Sequence, residues 1–182
     1  MNCTTPSGFR DILADEAARR EEAAFDVQQL LSRNGYVPVE TPTLEIMDVM
    51  NAGGRVPGTP FKLFDSRGDL LALRPDVTLQ IARMCATRLA GQPGPFRFRY
   101  QERVFREAEG RPQAEAREMT QVGVELIGEA GPAADAEVIA LLAESLEQIG
   151  VGDFRISVAT VGVLRALLAG CGAGEAWKSG VL

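Results

Sequence analysis

Hydrophobic and polar residues alternate most strictly past the middle of the chain. In Glu118–Gly128, Val122, Val124 and Leu126 fall on one face, and Gln121, Gly123 and Glu125 on the other. Phe96–Glu107 supplies a second strand, and the polar stretch between the two makes the pair a hairpin. Elsewhere the spacing is helical. Asp15–Asn34 has acids early, Ala17, Ala18, Phe25, Leu30 and Leu31 at helical spacing, and Asn34-Gly35 as its stop. A second helix opens at Arg74-Pro75-Asp76-Val77-Thr78 and runs towards Leu89, with Val77, Ile81, Met84, Cys85 and Leu89 on one stripe. A third covers Ala134–Ile149, with Val138, Ile139, Leu142, Leu146 and Ile149 inward and Gly150 as its stop. Val161–Leu168 is a short fourth.

Shorter elements fill the gaps. Met1–Leu13 is an extended lead-in with a turn at Thr5-Pro6-Ser7-Gly8. Tyr36–Glu40 reads as a strand, which Thr41-Pro42-Thr43 breaks, and Glu45–Met50 as a helical turn. Asn51–Pro60, rich in Gly and Pro, is a loop. Phe61–Asp65 and Leu70–Arg74 are strand-like around a turn at Ser66-Arg67-Gly68-Asp69, and Phe154–Ala159 alternates as a further strand. This order predicts an α+β domain spanning residues 1–182, an antiparallel sheet flanked by helices.

The polar face of Glu118–Gly128 carries an amide, a bare backbone position and a carboxylate in consecutive same-side slots. Gly123 leaves room for a small ligand to approach the backbone between Gln121 and Glu125. Arg106, at the end of the preceding strand, can bring a guanidinium to the same surface and grip a carboxylate or phosphate. The plain alternative is a half-exposed strand pair with cross-strand Arg–Glu contacts. Asp76 and Thr78 likewise have two readings. They cap a helix, or they aim a carboxylate and a hydroxyl into the open face of the sheet.

Charge and composition narrow the chemistry. A net charge of −6 argues against a general nucleic-acid binder, because holding phosphates takes surplus Lys and Arg. With no histidine in the chain, the usual general base and the Ser-His-Asp and Cys-His triads are absent. The three cysteines, Cys3, Cys85 and Cys171, are widely spaced without a Cys-x-x-Cys pair. That supports neither a disulfide framework nor a zinc site, and fits reduced thiols in the cytoplasm. No apolar run is long enough to span a membrane.

Five motifs in order carry a resemblance. They are Thr5-Pro-Ser-Gly-Phe-Arg-Asp11, Gly35-Tyr-Val-Pro-Val-Glu-Thr-Pro42, Leu73-Arg-Pro-Asp-Val-Thr78, Val104-Phe-Arg106 and Arg117-Glu-Met-Thr-Gln-Val-Gly-Val-Glu125. Together they resemble histidyl-tRNA synthetase-like proteins of the class II aminoacyl-tRNA synthetase fold. The resemblance implies a synthetase-like catalytic core and a homodimer through Tyr36–Met47. Two departures stand out. Asp76-Val77 replaces the Glu-Gly of the charging enzymes, and Ala114-Glu115 replaces a basic Gly-Arg pair in the hairpin loop. A carboxylate there would repel ATP and acceptor-stem phosphates.

Such departures resemble the paralogue that serves as regulatory subunit of ATP phosphoribosyltransferase, the first step of histidine biosynthesis. That likeness implies a non-catalytic protein with no cofactor of its own, partnered with the short catalytic subunit. It also implies an L-histidine site of Asp76, Thr78, Arg106, Gln121 and Glu125, with no catalytic residue and no metal. A fragment of an authentic histidyl-tRNA synthetase, which would use ATP and magnesium, is the alternative. A dimerising scaffold with a vestigial site is a third reading. The third class motif is expected beyond Leu182, so the chain reads as truncated.

Overall fold

The computed structural model describes residues 5–52, 59–107, 116–172, 174 and 177. The chain divides into two compact units, Met1–Val151 and Gly152–Leu182.

The first unit is built around the hairpin. Strands β5 (Phe96–Phe105) and β6 (Glu118–Ile127) pair antiparallel along their whole length, from Phe96 opposite Ile127 to Phe105 opposite Glu118. A short strand, β1 (Val37–Pro38), adds to β5 in parallel, giving the order β1-β5-β6. Before it runs helix α1 (Ala14–Arg33), and after it come β2 (Leu44–Ile46) and helix α2 (Met47–Ala52). A second sheet, in the order β2-β4-β3, is antiparallel throughout and uses β3 (Lys62–Phe64) and β4 (Leu70–Leu73). Helices α3 (Thr78–Thr87) and α4 (Pro132–Gln148) complete the unit. The class is α+β, with two small sheets where one antiparallel sheet was expected, and with a first strand that joins in parallel.

Alternation along the hairpin dictates what covers each face. On one side Phe98, Tyr100 and Val104 meet Val77 and Ile81, with Val39, Met84, Cys85 and Leu89 packed around them. The predicted stripe of α3 is therefore the stripe that is buried. On the other side Val122 and Val124 pack against Leu31, Tyr36 and Leu141 from α1, its following turn and α4. Each fully buried aliphatic in these clusters is worth about 1.5–3 kcal/mol over exposure, so slipping a strand by one residue would reverse a large total.

Three expectations need correction. α4 buries Ala134 and Leu141, while Val138, Leu142 (50% exposed) and Ile149 stay exposed, Leu142 and Ile149 along the groove between α1 and α4. Leu141 and Leu142 are adjacent, and periodicity alone does not choose between stripes turned by one residue. α1 similarly buries Ala24 and Leu31 and leaves Phe25 exposed. Finally, Phe154–Ala159 joins no sheet among the described residues. An alternating run becomes a strand only where a neighbour takes up its N–H and C=O groups, and among the described residues none is paired with it. Of the loop expected over Asn51–Pro60, residues 53–58 lie outside the described ones, while Asn51 and Ala52 close α2.

The second unit contains helix α5 (Val161–Gly170), opened by Thr160, whose Oγ1 accepts from Gly162 N at 3.1 Å. Among the described residues no helix is long and apolar enough to cross a membrane.

One charged side chain lies deep in the first unit. Arg74 is only 3% exposed, and its Nη2 meets Glu102 Oε2 at 2.5 Å. Its Nε donates to Arg103 O at 2.7 Å and its Nη1 to Thr41 O at 2.8 Å. Removing one partner of such a pair leaves an uncompensated buried charge. Arg74→Ala is therefore expected to lower unfolding stability by about 3–5 kcal/mol, read from chemical denaturation. Glu102→Gln, which keeps an acceptor for the guanidinium, should cost less.

Candidate functional site

The site is assembled where α3 begins against the hairpin. Arg74 N donates to Thr43 O at 3.0 Å, and Phe105 N donates to Arg74 O at 2.9 Å, so the chain leaves β4 already tied to β5. Pro75 and Asp76 follow, and α3 starts at Thr78 with Val77 buried beneath it. Leu79 N approaches Asp76 Oδ1 at a long 3.4 Å, so the capping contact is present and weak. Thr78 does something else. Its Oγ1 donates to Glu125 Oε1 at 2.7 Å, joining the start of α3 to the middle of β6.

Gln121 and Glu125 share the face of β6 that looks towards α3, as their parity requires. Between them the space over Gly123 is filled by the protein itself. A Cβ there would stand 2.5 Å from Tyr100 Oη and 2.7 Å from Tyr100 Cζ. Glycine is needed so that the ring of the residue opposite in the register can cross the strand, not to admit a ligand to the backbone. Gln121 Nε2 donates to Tyr100 Oη at 3.2 Å, while its Oε1 is buried with no partner among the described residues. Tyr100 is the residue that sequence reasoning missed. An aromatic placed opposite a strand glycine is a recognisable signal, but only once the register is known.

The electrostatics are those of a place short of positive charge. Burial pushes the Glu125 carboxyl above its ordinary range, and the neighbouring Asp76 pushes it further, against the hydrogen bond from Thr78. Burial also raises the Tyr100 phenol to about 12, with Glu125 and Asp76 adding to the effect. Cys85, a free thiol, is raised by burial and by Glu125. At neutral pH the phenol and thiol are therefore uncharged. Arg106 is held at the residue that precedes Asp76. Its Nε donates to Pro75 O at 2.8 Å, and its terminal nitrogens have no partner among the described residues. Asp76, Thr78, Gln121 and Glu125 thus form one cluster, and Arg106 is tied to the residue before Asp76. The departure at Ala114-Glu115 lies outside the described residues.

A cavity of about 880 Å³ lies on the opposite side of the hairpin between α1 and α4. Its walls combine apolar residues, including Val27, Val122, Leu142 and Leu146, with Arg20, Glu21 and the Arg103–Glu118 ion pair. The residues singled out in the sequence lie instead by α3, where Thr78, Gln121 and Glu125 come together. Among the described residues no group of three or more Cys, Asp and Glu is placed to hold a metal.

This arrangement, a long antiparallel pair with a helix bringing Asp76 and Thr78 over Gln121 and Glu125, is a class II synthetase-like core. The chain belongs to the histidyl-tRNA synthetase family, whose sequence model matches residues 8–181. It is 43% identical over 167 residues to the ATP phosphoribosyltransferase regulatory subunit of Desulfitobacterium hafniense, matching 92% of this chain and 43% of that protein. Among solved structures it resembles an ATP phosphoribosyltransferase regulatory subunit/histidyl-tRNA synthetase from Bacillus halodurans. There the TM-score is 0.86 at 34% identity, covering 97% of this chain and 46% of that one. A histidine–tRNA ligase subunit from Alicyclobacillus acidocaldarius matches with a TM-score of 0.81 at 33% identity, covering 98% and 51%. The chain thus spans well under two thirds of the length of these relatives.

Two outcomes are expected of the site itself. Gly123→Ala should drive the Tyr100 ring aside and lower stability by about 1–3 kcal/mol in denaturant unfolding, a penalty that disappears in a Tyr100→Ala background. For Glu125 the sign follows from its raised pKa. The folded chain holds that proton more tightly than the unfolded one, so its contribution is present at acid pH and lost as pH rises through the folded value. Glu125→Gln is expected to melt at or above the wild-type temperature at pH 7, with the difference shrinking as the pH is lowered.

Proposed function

We propose that this chain is the synthetase-like core of a regulatory subunit of ATP phosphoribosyltransferase, which binds L-histidine and neither activates it nor charges tRNA. The observation that carries the reading is the polarity of the site. Two carboxylates, one of them half-buried, have no cationic hydrogen-bond partner among the described residues, and the Arg106 guanidinium, whose terminal nitrogens have no partner among them either, is held at Pro75 beside Asp76. An α-amino acid has the complementary polarity. In this reading Asp76, Gln121 and Glu125, with Thr78 orienting Glu125, hold the ammonium through charge-assisted hydrogen bonds, and Arg106 takes the carboxylate. The names of relatives 43% and 34% identical support the regulatory role. So does Glu115, where a phosphate-binding loop would want a cation.

The protein works in the cytoplasm without a cofactor of its own, and its partner is the short catalytic subunit of ATP phosphoribosyltransferase. It forms a homodimer through Tyr36–Met47. Support for the dimer comes from the second sheet, where Ile46 (49% exposed), Leu71 and Leu63 stand side by side in register, with Leu44 beside Leu73. Ile46→Glu is expected to shift the protein towards monomer in sedimentation velocity with its melting temperature little changed.

The test of function is mixing the purified protein with the short catalytic subunit and following complex size and phosphoribosyl transfer. A stable complex with increased transfer is expected, and absence of both would contradict the proposal. The alternative, histidyl-tRNA synthetase activity, is favoured by the match to a histidine–tRNA ligase subunit. Histidine-dependent exchange between ATP and pyrophosphate would establish it in place of the regulatory reading.

A further inference from the structure

The loop end of the hairpin is tied together by Arg117, a residue outside the proposed ligand contacts. Arg106 N donates to Arg117 O at 3.0 Å, and Arg117 N donates to Gly8 O at 2.9 Å. The Arg117 side chain holds the same spot. Its Nη1 donates to Ser7 O at 3.1 Å and its Nη2 pairs with the Glu107 carboxylate. The guanidinium lies over the Phe61 ring at 4.5 Å from the centroid and over the Phe9 ring at 5.7 Å. The two rings contact each other, with centroids 5.9 Å apart. Its Nε is buried with no partner among the described residues, so two ring faces, one carboxylate and the Ser7 carbonyl hold the group in place of a full set of hydrogen bonds. On the other flank Glu107 N donates to Thr59 O at 2.8 Å. The backbone on both sides of the Arg106 side chain is therefore clamped, and Arg117 is the clamp that reaches the lead-in, β3's approach and the hairpin together.

We infer that Arg117 is a positioning residue for Arg106: by pinning Ser7–Phe9 and Phe61 to the hairpin base, it holds the Arg106 guanidinium where the carboxylate of the bound amino acid is taken. This rests on the amino-acid-binding reading above. The effect is specific to one end of the ligand. The ammonium partners come from the start of α3 and from Gln121 and Glu125, to which the Phe9–Arg117–Phe61 stack makes no hydrogen bond, ion pair or ring contact among the described residues. A general structural role would weaken both ends alike.

The discriminating ligand is L-histidinol, which keeps the ammonium and imidazole and has a hydroxymethyl in place of the carboxylate. The purified protein and its Arg117→Ala variant are titrated calorimetrically with L-histidine and with L-histidinol. Wild type is expected to prefer histidine. Arg117→Ala is expected to lose about tenfold of that preference, the scale of a hydrogen bond between charged groups, with histidinol affinity unchanged. A variant that keeps the whole preference, or weakens both ligands equally, overturns the inference and leaves the amino-acid site standing. A wild type that binds neither ligand overturns the site reading and the inference with it. Should Arg117→Ala fail to fold in thermal melting, Phe61→Leu decides alone. It removes one ring from beneath the guanidinium and keeps the Glu107 pair. Partial loss of the preference supports the inference, and full retention contradicts it.

Discussion

Burying the Arg74 guanidinium is the constraint on which the first unit depends. A charge out of water is tolerable only with an opposite charge and with acceptors for its remaining protons. Glu102 supplies the charge, and the Arg103 and Thr41 carbonyls supply acceptors. These partners belong to β5 and to the segment between β1 and β2, so satisfying one side chain draws three parts of the chain together. Gln80, also buried, repeats the logic one turn into α3. It donates to Pro42 O at 2.8 Å and accepts from Thr41 Oγ1 at 2.7 Å. The start of α3 is thereby fixed on both sides, and with it the positions of Asp76 and Thr78.

The site inherits this rigidity and adds an electrostatic imbalance. Glu125 is held in a half-buried place by a hydroxyl in place of a cation, beside a second carboxylate and a phenol that stays protonated. Such a place is poorly stabilised when empty and gains from any ligand that brings a positive charge. Under the proposed reading, a binding site and a stability cost are here the same feature. If the chain acts as the proposed regulatory subunit, the free energy released when that charge is compensated is what is available for coupling to a partner's active site.

Much of this was legible in the residues. The strand parity of Val122, Val124 and Leu126 against Gln121, Gly123 and Glu125 set the two faces of β6 correctly, and the stripe from Val77 to Leu89 set the buried side of α3. The ordered motifs, covering nearly the whole chain, led to the family. What escaped was decided by register and rotation. Gly123 was read as room for a ligand because its cross-strand neighbour, Tyr100, is known only from the pairing. α4 was turned by one residue because Leu141 and Leu142 are chemically identical, and only the packing of Leu141 against Leu31 and Tyr36 separates them. Phe154–Ala159 has the alternation of a strand without a partner, and sequence does not reveal partners.

An acid-lined cradle for an amino acid is tested most directly by calorimetric titration of L-histidine into wild type and Glu125→Ala at pH 7. Saturable binding by wild type, lost in the folded variant, is the expected result. Binding that survives unchanged in Glu125→Ala would contradict it and place the ligand elsewhere on the molecule.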